Sequence, residues 1–277
     1  MLGAIVGDIV GSRFEFNNHR SKTFDLFHPA CFVTDDSIMT LAVAKSLMET
    51  LRLTDSRPGA LADAFIPQLR KQAVHWLQTI GQNYPDCGYG GRFFSWIFAE
   101  RPQPYMSFGN GAAMRISPVA YVAASEHEVR QLSHAVTAIS HDHPEGIKGA
   151  EATALATYWA RTGVPREAIA RRIRDDYYAL DFRIDAIRAT YRFNETCQET
   201  VPQAIACFLE SVSFEDAIRN AISIGGDSDT VAAITGAIAA AYYGVPVAIR
   251  EAALLYVDPA LREIFDAWEA KVGAWGV

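Results

Sequence analysis

The sequence has few cysteines, no excess of positive charge and no long uninterrupted apolar run. Its four cysteines, Cys31, Cys87, Cys197 and Cys207, are not spaced as metal-ligand pairs, so we expect reduced thiols and no disulfides. The net charge of −7 disfavours nucleic-acid binding through phosphate neutralisation. No segment has the apolar length needed to cross a bilayer, and the start of the chain lacks the basic residues of a signal peptide. We therefore expect a soluble, cytoplasmic protein, and a monomer.

The chain also lacks strand-like alternation, internal repeats and low-complexity linkers. Half of its 277 residues are hydrophobic, which is ample for a large core. Apolar residues recur at spacings of three and four through most of the chain, for example over 58–79 and 203–211. Residues 3–12 carry Gly3, Gly7 and Gly11, a period of four that predicts close packing beside the Ala-rich helix after Thr230. We predict an all-α fold, a single compact many-helix domain over residues 1–277.

Two carboxylate-rich segments stand where apolar helices begin. The apolar segment 222–224 and two glycines lead into Asp227-Ser228-Asp229-Thr230 and then into the Ala-rich helix, while Thr34-Asp35-Asp36 opens a second apolar helix. Asp, Ser and Thr cap helix N-termini, so capping alone is one explanation. One capping residue is enough for a helix, however, and crowded carboxylates repel one another unless a cation lies between them.

We predict that these two segments meet in a central cleft and bind two divalent cations. Oxygen-only ligand sets suit Mg²⁺, Mn²⁺ or Ca²⁺ and do not suit zinc or copper. The predicted metal ligands are Thr34, Asp35, Asp36, Asp227, Asp229 and Thr230.

Three further places carry candidate chemistry. Glu15 lies between two phenylalanines, where burial would raise its pKa and make it a candidate acid or base, although an exposed loop glutamate would look the same. The Gly109-Asn110-Gly111 turn before small residues suits an anion seat of backbone N–H groups, and equally suits an ordinary turn into a helix. The histidines of the 140–144 segment do not have a zinc-helix spacing, which favours a ligand-contacting or structural role.

Together these segments resemble the ADP-ribosylglycohydrolase family. The resemblance rests on Gly7-Asp8-Ile9-Val10-Gly11-Ser12 with Glu15, Thr34-Asp35-Asp36, Gly109-Asn110-Gly111 through Met114-Arg115, Ser140-His141, and Gly225-Gly226-Asp227-Ser228-Asp229-Thr230, in the family's order. It implies an all-α fold whose central cleft holds two Mg²⁺ or Mn²⁺ ions on the six ligands named above, with Glu15 near the second metal. It also implies that ADP-ribose touches His141 and the backbone of Gly109, Asn110, Gly111 and Ala112, and that the loop over 83–91 covers the ligand.

The resemblance implies a metal-dependent hydrolase that cleaves the glycosidic bond between ADP-ribose and a modified protein side chain, arginine first among them. Its catalytic residues would be Glu15, Asp36 and Asp229, with the general base left open. The substrate would be an ADP-ribosylated protein or a small molecule containing ADP-ribose. A metal-dependent phosphohydrolase and a non-catalytic ADP-ribose-binding protein are the alternatives, since acidic two-metal sites also suit phosphoryl chemistry. The complete set of carboxylates disfavours the binding protein.

Overall fold

The computed structural model describes residues 1–275, and their regular structure is helical. The β pairings found within this range are two isolated bridges, Arg57 with Ala60 and Gly109 with Thr196. The prediction of an all-α fold is therefore confirmed. The helices are α1 Leu2–Ser12, α2 Asp35–Leu53, α3 Phe65–Gly81, α4 Gly91–Ile97, α5 Gly111–Met114, α6 Val119–Val122, α7 Glu126–Thr137, α8 Pro144–Arg161, α9 Arg166–Asp176, α10 Ile184–Ile187, α11 Cys197–Leu209, α12 Phe214–Ile224, α13 Ser228–Tyr243, α14 Val247–Ala253 and α15 Pro259–Trp275.

Helix α13 lies at the centre of the fold and packs along the whole of α1. Its residues from Ser228 to Ala239 are buried, and α8, α11 and α12 also pack against it. A Cβ atom added at Gly3, Gly7 or Gly11 would lie closer than 3.0 Å to main-chain atoms of α13. Only glycine permits this approach of two backbones, so the four-residue glycine spacing sets the register of α1 on α13. The predicted contact between these two helices is confirmed.

Helix α2 forms the second side of the core. It packs against α3, α1 and α15, and its residues from Asp36 to Ala44 are buried. Because α2 and α13 both begin at one end of the helix bundle, their acidic first turns face each other across the end of α1. This arrangement is what places the candidate site.

Two helix boundaries differ from those that periodicity predicts. The segment 58–64 is not helical, since Gly59 adopts a left-handed backbone with φ of 76° and α3 begins only at Phe65. Helix α11 begins at Cys197, earlier than predicted, and contains Pro202 in its interior. An interior proline removes one backbone hydrogen bond. The buried side chains of α11, which include Val201 and Ile205, compensate by packing into the core.

The cysteines agree with the sequence-based expectation. All four are free thiols, and three of them, Cys31, Cys197 and Cys207, are buried. Within residues 1–275, none of the helices combines the length and apolar character required to cross a membrane.

Candidate functional site

The first turns of α2 and α13 open into one cleft of about 350 Å³. Oxygen-bearing side chains form one end of this cleft, aromatic and basic side chains form the other, and glycines of two loops lie between them. The lining residues are Glu15, Asp35, Asp36, Gly88, Gly90, Gly91, Arg92, Phe93, Tyr105, Ser107, Phe108, Gly109, Asn110, Gly111, Met114, Arg115, His141, Glu195, Thr196, Asp227, Asp229 and Thr230.

Carboxylates from α13 and from the loop after α1 converge at the acidic end. One oxygen from each of Glu15, Asp227 and Asp229 lies within 4.8 Å of the others, a spacing that a single cation can bridge. Asp227 is the N-cap residue of α13, yet its side chain makes no capping hydrogen bond. Its carboxylate instead accepts a hydrogen bond of 2.7 Å from the Asn110 amide. Capping therefore does not explain why an aspartate occupies this position.

The first turn of α2 completes the acidic end. Asp36 Oδ2 accepts a hydrogen bond of 3.0 Å from the Thr230 hydroxyl of α13, which joins the two predicted segments. Its other oxygen, Oδ1, is buried and has no hydrogen-bond partner. Thr34 behaves differently from the other predicted ligands, because it caps α2 by accepting from Asp36 N at 3.3 Å and its hydroxyl donates to Asp8 Oδ1 at 2.6 Å. Thr34 also lies outside the lining of the cleft.

Burial, and after it the repulsion between neighbouring carboxylates, raises the pKa values of these carboxyl groups. Burial is the largest cause for Glu15, whose pKa rises to about 8, and the negative charges of Asp229 and Asp8 add to it. Burial and neighbouring carboxylates also raise the pKa values of Asp35, Asp36 and Asp229 well above the ordinary range. The prediction of a raised pKa at Glu15 is confirmed in direction, although the flanking Phe16 is exposed and contributes little to the burial.

The donor set fits a hard divalent cation. All of the groups at the acidic end are oxygens, as Mg²⁺, Mn²⁺ and Ca²⁺ require. A cation would also satisfy the unpartnered Asp36 Oδ1 and offset the repulsion that raises the carboxyl pKa values. The cluster of Glu15, Asp227 and Asp229 can therefore hold a metal ion.

Two residues that sequence reasoning left without a role hold this end of the cleft together. Asp8, fully buried in α1, accepts hydrogen bonds from the backbone N–H and the hydroxyl of both Thr34 and Ser37, which fixes the first turn of α2. The side chain of Asn18 bonds both the N–H and the C=O of Gly226 at 2.8 Å and also the C=O of Glu15 at 3.0 Å. A lone acidic residue inside an otherwise apolar helix was the available signal for Asp8. Nothing local in the sequence marked Asn18.

Both residues of the glycine pair before α13 have backbone conformations and close contacts that require glycine. Gly225 and Gly226 adopt φ values of 70° and 79°, which L side chains rarely adopt. A Cβ at Gly225 would meet Asn18, and one at Gly226 would meet the ring of Tyr191. The two glycines therefore let the loops after α1 and α10 close against the start of α13.

The turn at Gly109-Asn110-Gly111 forms the wall between the two ends of the cleft. Several of its amides already donate within the protein: Gly109 N to Ser107 Oγ, Asn110 N to Glu195 O, Ala112 N to Gly109 O and Ala113 N to Asn110 O. The turn is thus a narrow backbone surface with few free N–H groups. Ala112 is fully buried and lies outside the lining of the cleft.

His141 lies at the other end of the cleft, behind this turn. It is 4 % exposed and is packed among the rings of Phe93 and Tyr105. Burial and the positive charges of Arg115 and Arg92 lower its pKa well below the ordinary value. His141 is therefore a neutral imidazole at physiological pH.

The loop over 83–91 reaches the same cleft. Cys87 O accepts a hydrogen bond of 3.1 Å from Asp35 N, and a Cβ at Gly88 would lie 3.1 Å from Asp35 Oδ1. Gly88, Gly90 and Gly91 line the cleft. This loop therefore forms one side of the cleft, and its covering of a ligand stays a prediction.

The family model of ADP-ribosylglycohydrolases matches residues 1–270. The chain belongs to the ADP-ribosylglycohydrolase family. Among its relatives, the ADP-ribosylhydrolase ARH3 of Mus musculus is 25 % identical over 314 residues, which cover 88 % of this chain and 83 % of that protein. ARH3 of Homo sapiens is 25 % identical over 322 residues, with 88 % and 84 % covered. A solved structure titled "ADP-ribosylglycohydrolase-related protein complex" has the same fold, with a TM-score of 0.67 at 22 % identity over 100 % of this chain and 97 % of that one.

This ADP-ribosylglycohydrolase family member gathers most of the residues that its sequence singled out. Glu15, Asp35, Asp36, Asp227, Asp229 and Thr230 lie together at the acidic end, and Gly109, Asn110, Gly111 and His141 line the same cleft. Thr34 and Ala112 stand just outside it. The roles of these residues as metal ligands, catalysts or substrate contacts stay predictions.

Proposed function

We propose that this family member is a metal-dependent hydrolase that cleaves the glycosidic bond between ADP-ribose and a modified protein side chain and releases ADP-ribose. One observation carries the proposal: a buried set of oxygen ligands, with the unpartnered Asp36 Oδ1 among them, shares one cleft with a neutral histidine and an aromatic wall. The oxygens suit the ribose end of the ligand, and the aromatic end suits its adenine.

The predicted ligands Asp35, Asp36, Asp227, Asp229 and Thr230 would hold two Mg²⁺ or Mn²⁺ ions. Such ions supply Lewis acidity toward the ribose hydroxyls and the attacking water. Thr34 supports this site from behind, since its hydroxyl donates to Asp8. The Asn110 amide orients Asp227 by its hydrogen bond of 2.7 Å to that carboxylate.

Glu15 is the residue best placed to move a proton. It is half-buried at the acidic end, so its carboxyl group reaches both the cluster and solvent. Cleavage at the anomeric carbon passes through an oxocarbenium-like transition state and needs a proton delivered to the departing group or taken from water. We assign this proton transfer to Glu15 and the stabilisation of positive charge on the ribose to Asp36 and Asp229.

The mouth of the cleft favours arginine as the modified side chain. Phe16 follows Glu15, Phe193 lies two residues before Glu195, and both glutamates line the cleft. The two phenylalanine rings stack with centroids 5.8 Å apart, although they are 85 % and 41 % exposed. Exposed aromatic faces beside carboxylates attract a planar guanidinium through cation–π and charge contacts.

Product identification with the metal-loaded protein tests the proposal. Release of free ADP-ribose from an arginine-linked ADP-ribosylated protein is the expected result. Release of AMP would identify a phosphohydrolase, and binding of ADP-ribose without any product would identify a non-catalytic binding protein. Serine-linked and arginine-linked substrates assayed side by side determine the linkage.

A further inference from the structure

A buried arginine without a carboxylate partner lies behind His141. Arg115 is 1 % exposed, lines the cleft, stacks on the ring of Phe93 at 4.8 Å, and forms no ion pair among the described residues. Burial lowers its pKa to about 10, so it keeps its charge at neutral pH. Burying a charge without an ion-pair partner costs desolvation free energy. The groups that contact Arg115 indicate its role.

The guanidinium of Arg115 begins a chain of hydrogen bonds that ends at His141. Arg115 Nη2 lies 2.8 Å from Ser140 Oγ and 3.4 Å from His141 Nδ1, and Ser140 Oγ lies 2.9 Å from the same Nδ1. A guanidinium can only donate, so the Ser140 oxygen accepts from it and its O–H is left to donate. Because Arg115 Nη2 also faces His141 Nδ1 and a guanidinium cannot accept, the tautomer that fits both neighbours has Nδ1 as the acceptor and its proton on Nε2.

The other ring nitrogen of His141 faces the cleft wall. A Cβ atom added at Gly109 or Gly111 would lie 3.7 Å or 3.5 Å from His141 Nε2. Gly109, Gly111 and His141 all line the cleft, so the Nε2 side of the ring borders the cleft beside this turn.

We propose that Arg115 and Ser140 are positioning residues that fix His141 as a neutral imidazole with its proton on Nε2, so that Nε2–H is a permanent donor to an acceptor oxygen of ADP-ribose. This inference rests on the proposed function for the identity of the ligand. The positive end of the chain also polarises each bond along it, which strengthens the terminal donor. The charge of Arg115 thereby acts on the ligand through Ser140 and His141.

The charged and titratable groups around His141 keep this donor constant with pH. Arg115 from the end of α5, Arg92 from α4 and Tyr105 from the preceding loop face the ring. The two cations oppose an imidazolium, and Tyr105 is neutral because burial raises its pKa. The His141 ring should therefore not titrate between about pH 5 and pH 8, whereas the carboxyl groups at the acidic end do titrate there.

Nitrogen NMR of the free protein tests the tautomer directly. We expect His141, assigned by comparison with His141→Gln, to carry its proton on Nε2 and not to titrate between about pH 5 and pH 8. Ser140→Ala removes the donor to Nδ1 and should produce a mixture of tautomers. Ser117→Ala is the matched control, since Ser117 is another buried serine whose hydroxyl has no partner. An imidazolium, or a proton on Nδ1 in the parent protein at pH 7, would overturn the proposal.

Calorimetry with ADP-ribose tests the consequence for recognition. Ser140→Ala should weaken binding on the order of tenfold, the scale of one hydrogen bond, and Ser117→Ala should not. Arg115→Lys keeps a charge but loses the fork that reaches Ser140, so it should behave as Ser140→Ala does. Unchanged affinity in both variants would overturn the recognition step. A parent protein that does not bind ADP-ribose would overturn the proposed function, and the NMR result would still decide the tautomer.

Discussion

At the scale of single residues, Asp36 Oδ1 best separates a metal site from a set of helix caps. A capping carboxylate accepts hydrogen bonds from backbone N–H groups, whereas this oxygen is buried and accepts none. The Asp227 side chain also makes no capping bond at the start of α13, and it accepts instead from the Asn110 amide. Buried polar atoms without partners are rare in folded proteins. A cation is the simplest partner that fits several acidic neighbours at once.

Removing one charge at Asp229 distinguishes a metal site from helix capping. Asp229→Asn keeps the shape of the side chain, but it should abolish most of the Mg²⁺-dependent rise in melting temperature, since stabilisation by a ligand follows its affinity for the native state. Turnover should fall at least about a hundredfold. Asp63→Asn, at an exposed aspartate, is the control. A variant that retains the parent's Mg²⁺ response would contradict the metal site.

Asp8 should matter for folding as much as for activity. Asp8→Asn replaces one acceptor oxygen by an NH₂ group that faces the N–H and hydroxyl donors of Thr34 and Ser37. We expect a loss of about 3 kcal/mol in the free energy of unfolding, the scale of two hydrogen bonds to a charged group. Urea denaturation measures this loss. Stability equal to that of the parent would show that α2 does not depend on Asp8.

The sequence predicted the residues of the site better than the contacts between them. Glu15 and the two aspartate segments were identifiable because several oxygens stand close together in the chain. Asn18 and Arg115 were not assigned roles, because each acts through partners far along the chain: Asn18 bonds Gly226, and Arg115 bonds Ser140. A role that depends on such long-range partners leaves no local pattern to recognise.

At the scale of helices, the contact between α1 and α13 positions the residues of the site. Asp8 lies on α1, and Asp229 lies on the first turn of α13, so the spacing of the two helices sets the spacing of the carboxylates. Small residues at a period of four made this contact predictable from sequence. The start of α3 at Phe65 was not predictable in the same way. The helix-like apolar spacing begins already at residue 58, but the backbone over 58–64 is not helical.

Widening the α1–α13 contact should damage the protein. Gly7→Ala would place a Cβ closer than 3.0 Å to the main chain at Ala232 and Ala233, and the helices would have to separate. We expect a loss of about 3 kcal/mol in unfolding free energy, the upper range for overpacking. Gly273→Ala is the matched control, because its added Cβ would meet nothing within 4 Å beyond its chain neighbours and its own helix backbone, and it should be neutral or slightly stabilising. Equal effects of the two changes would contradict this packing.

The loops at the mouth of the cleft should affect the choice of substrate and leave stability unchanged. Phe193→Ala removes one ring of the exposed stacked pair. On an arginine-linked substrate we expect kcat/KM to fall about fivefold, the scale of one exposed cation–π contact of about 1 kcal/mol. Phe98→Ala, at another exposed phenylalanine outside the cleft lining, is the control. The same loss on a serine-linked substrate would argue against guanidinium recognition.

At the scale of the whole molecule, the acidic cluster links folding to pH and to metal. Asp8 and Asp227 have pKa values of about 6 in the folded protein, above the ordinary value of 3.8, because burial disfavours their charge. A carboxyl group with a raised folded pKa stabilises the native state while it is protonated, and this contribution is lost as pH rises through the folded value. The contribution of these groups to the stability of the metal-free protein is therefore smallest at neutral and higher pH.

Thermal unfolding in a chelator should show this linkage. We expect the melting temperature to fall by roughly 5 °C or more between about pH 5 and pH 8, the scale of a few kcal/mol in a protein of this size. Saturating Mg²⁺ should flatten the profile, because a bound cation removes the cost of ionising the cluster. If the melting temperature of the metal-free protein rises over the same pH range, ionising these carboxyl groups costs the folded state little free energy.

The glycine-lined contact of α1 with α13 also limits how the cleft can open. With the two backbones this close at Gly3, Gly7 and Gly11, we expect the register of α1 on α13 to stay fixed. Small sliding movements, common between helices with long side chains, are thereby suppressed. The loops that border the cleft, at 13–18, 83–91 and 188–196, are not part of this contact, so we expect any opening of the cleft to occur in them. On this expectation the loops would set how fast a ligand exchanges, and the helical frame would set how precisely the carboxylates are held.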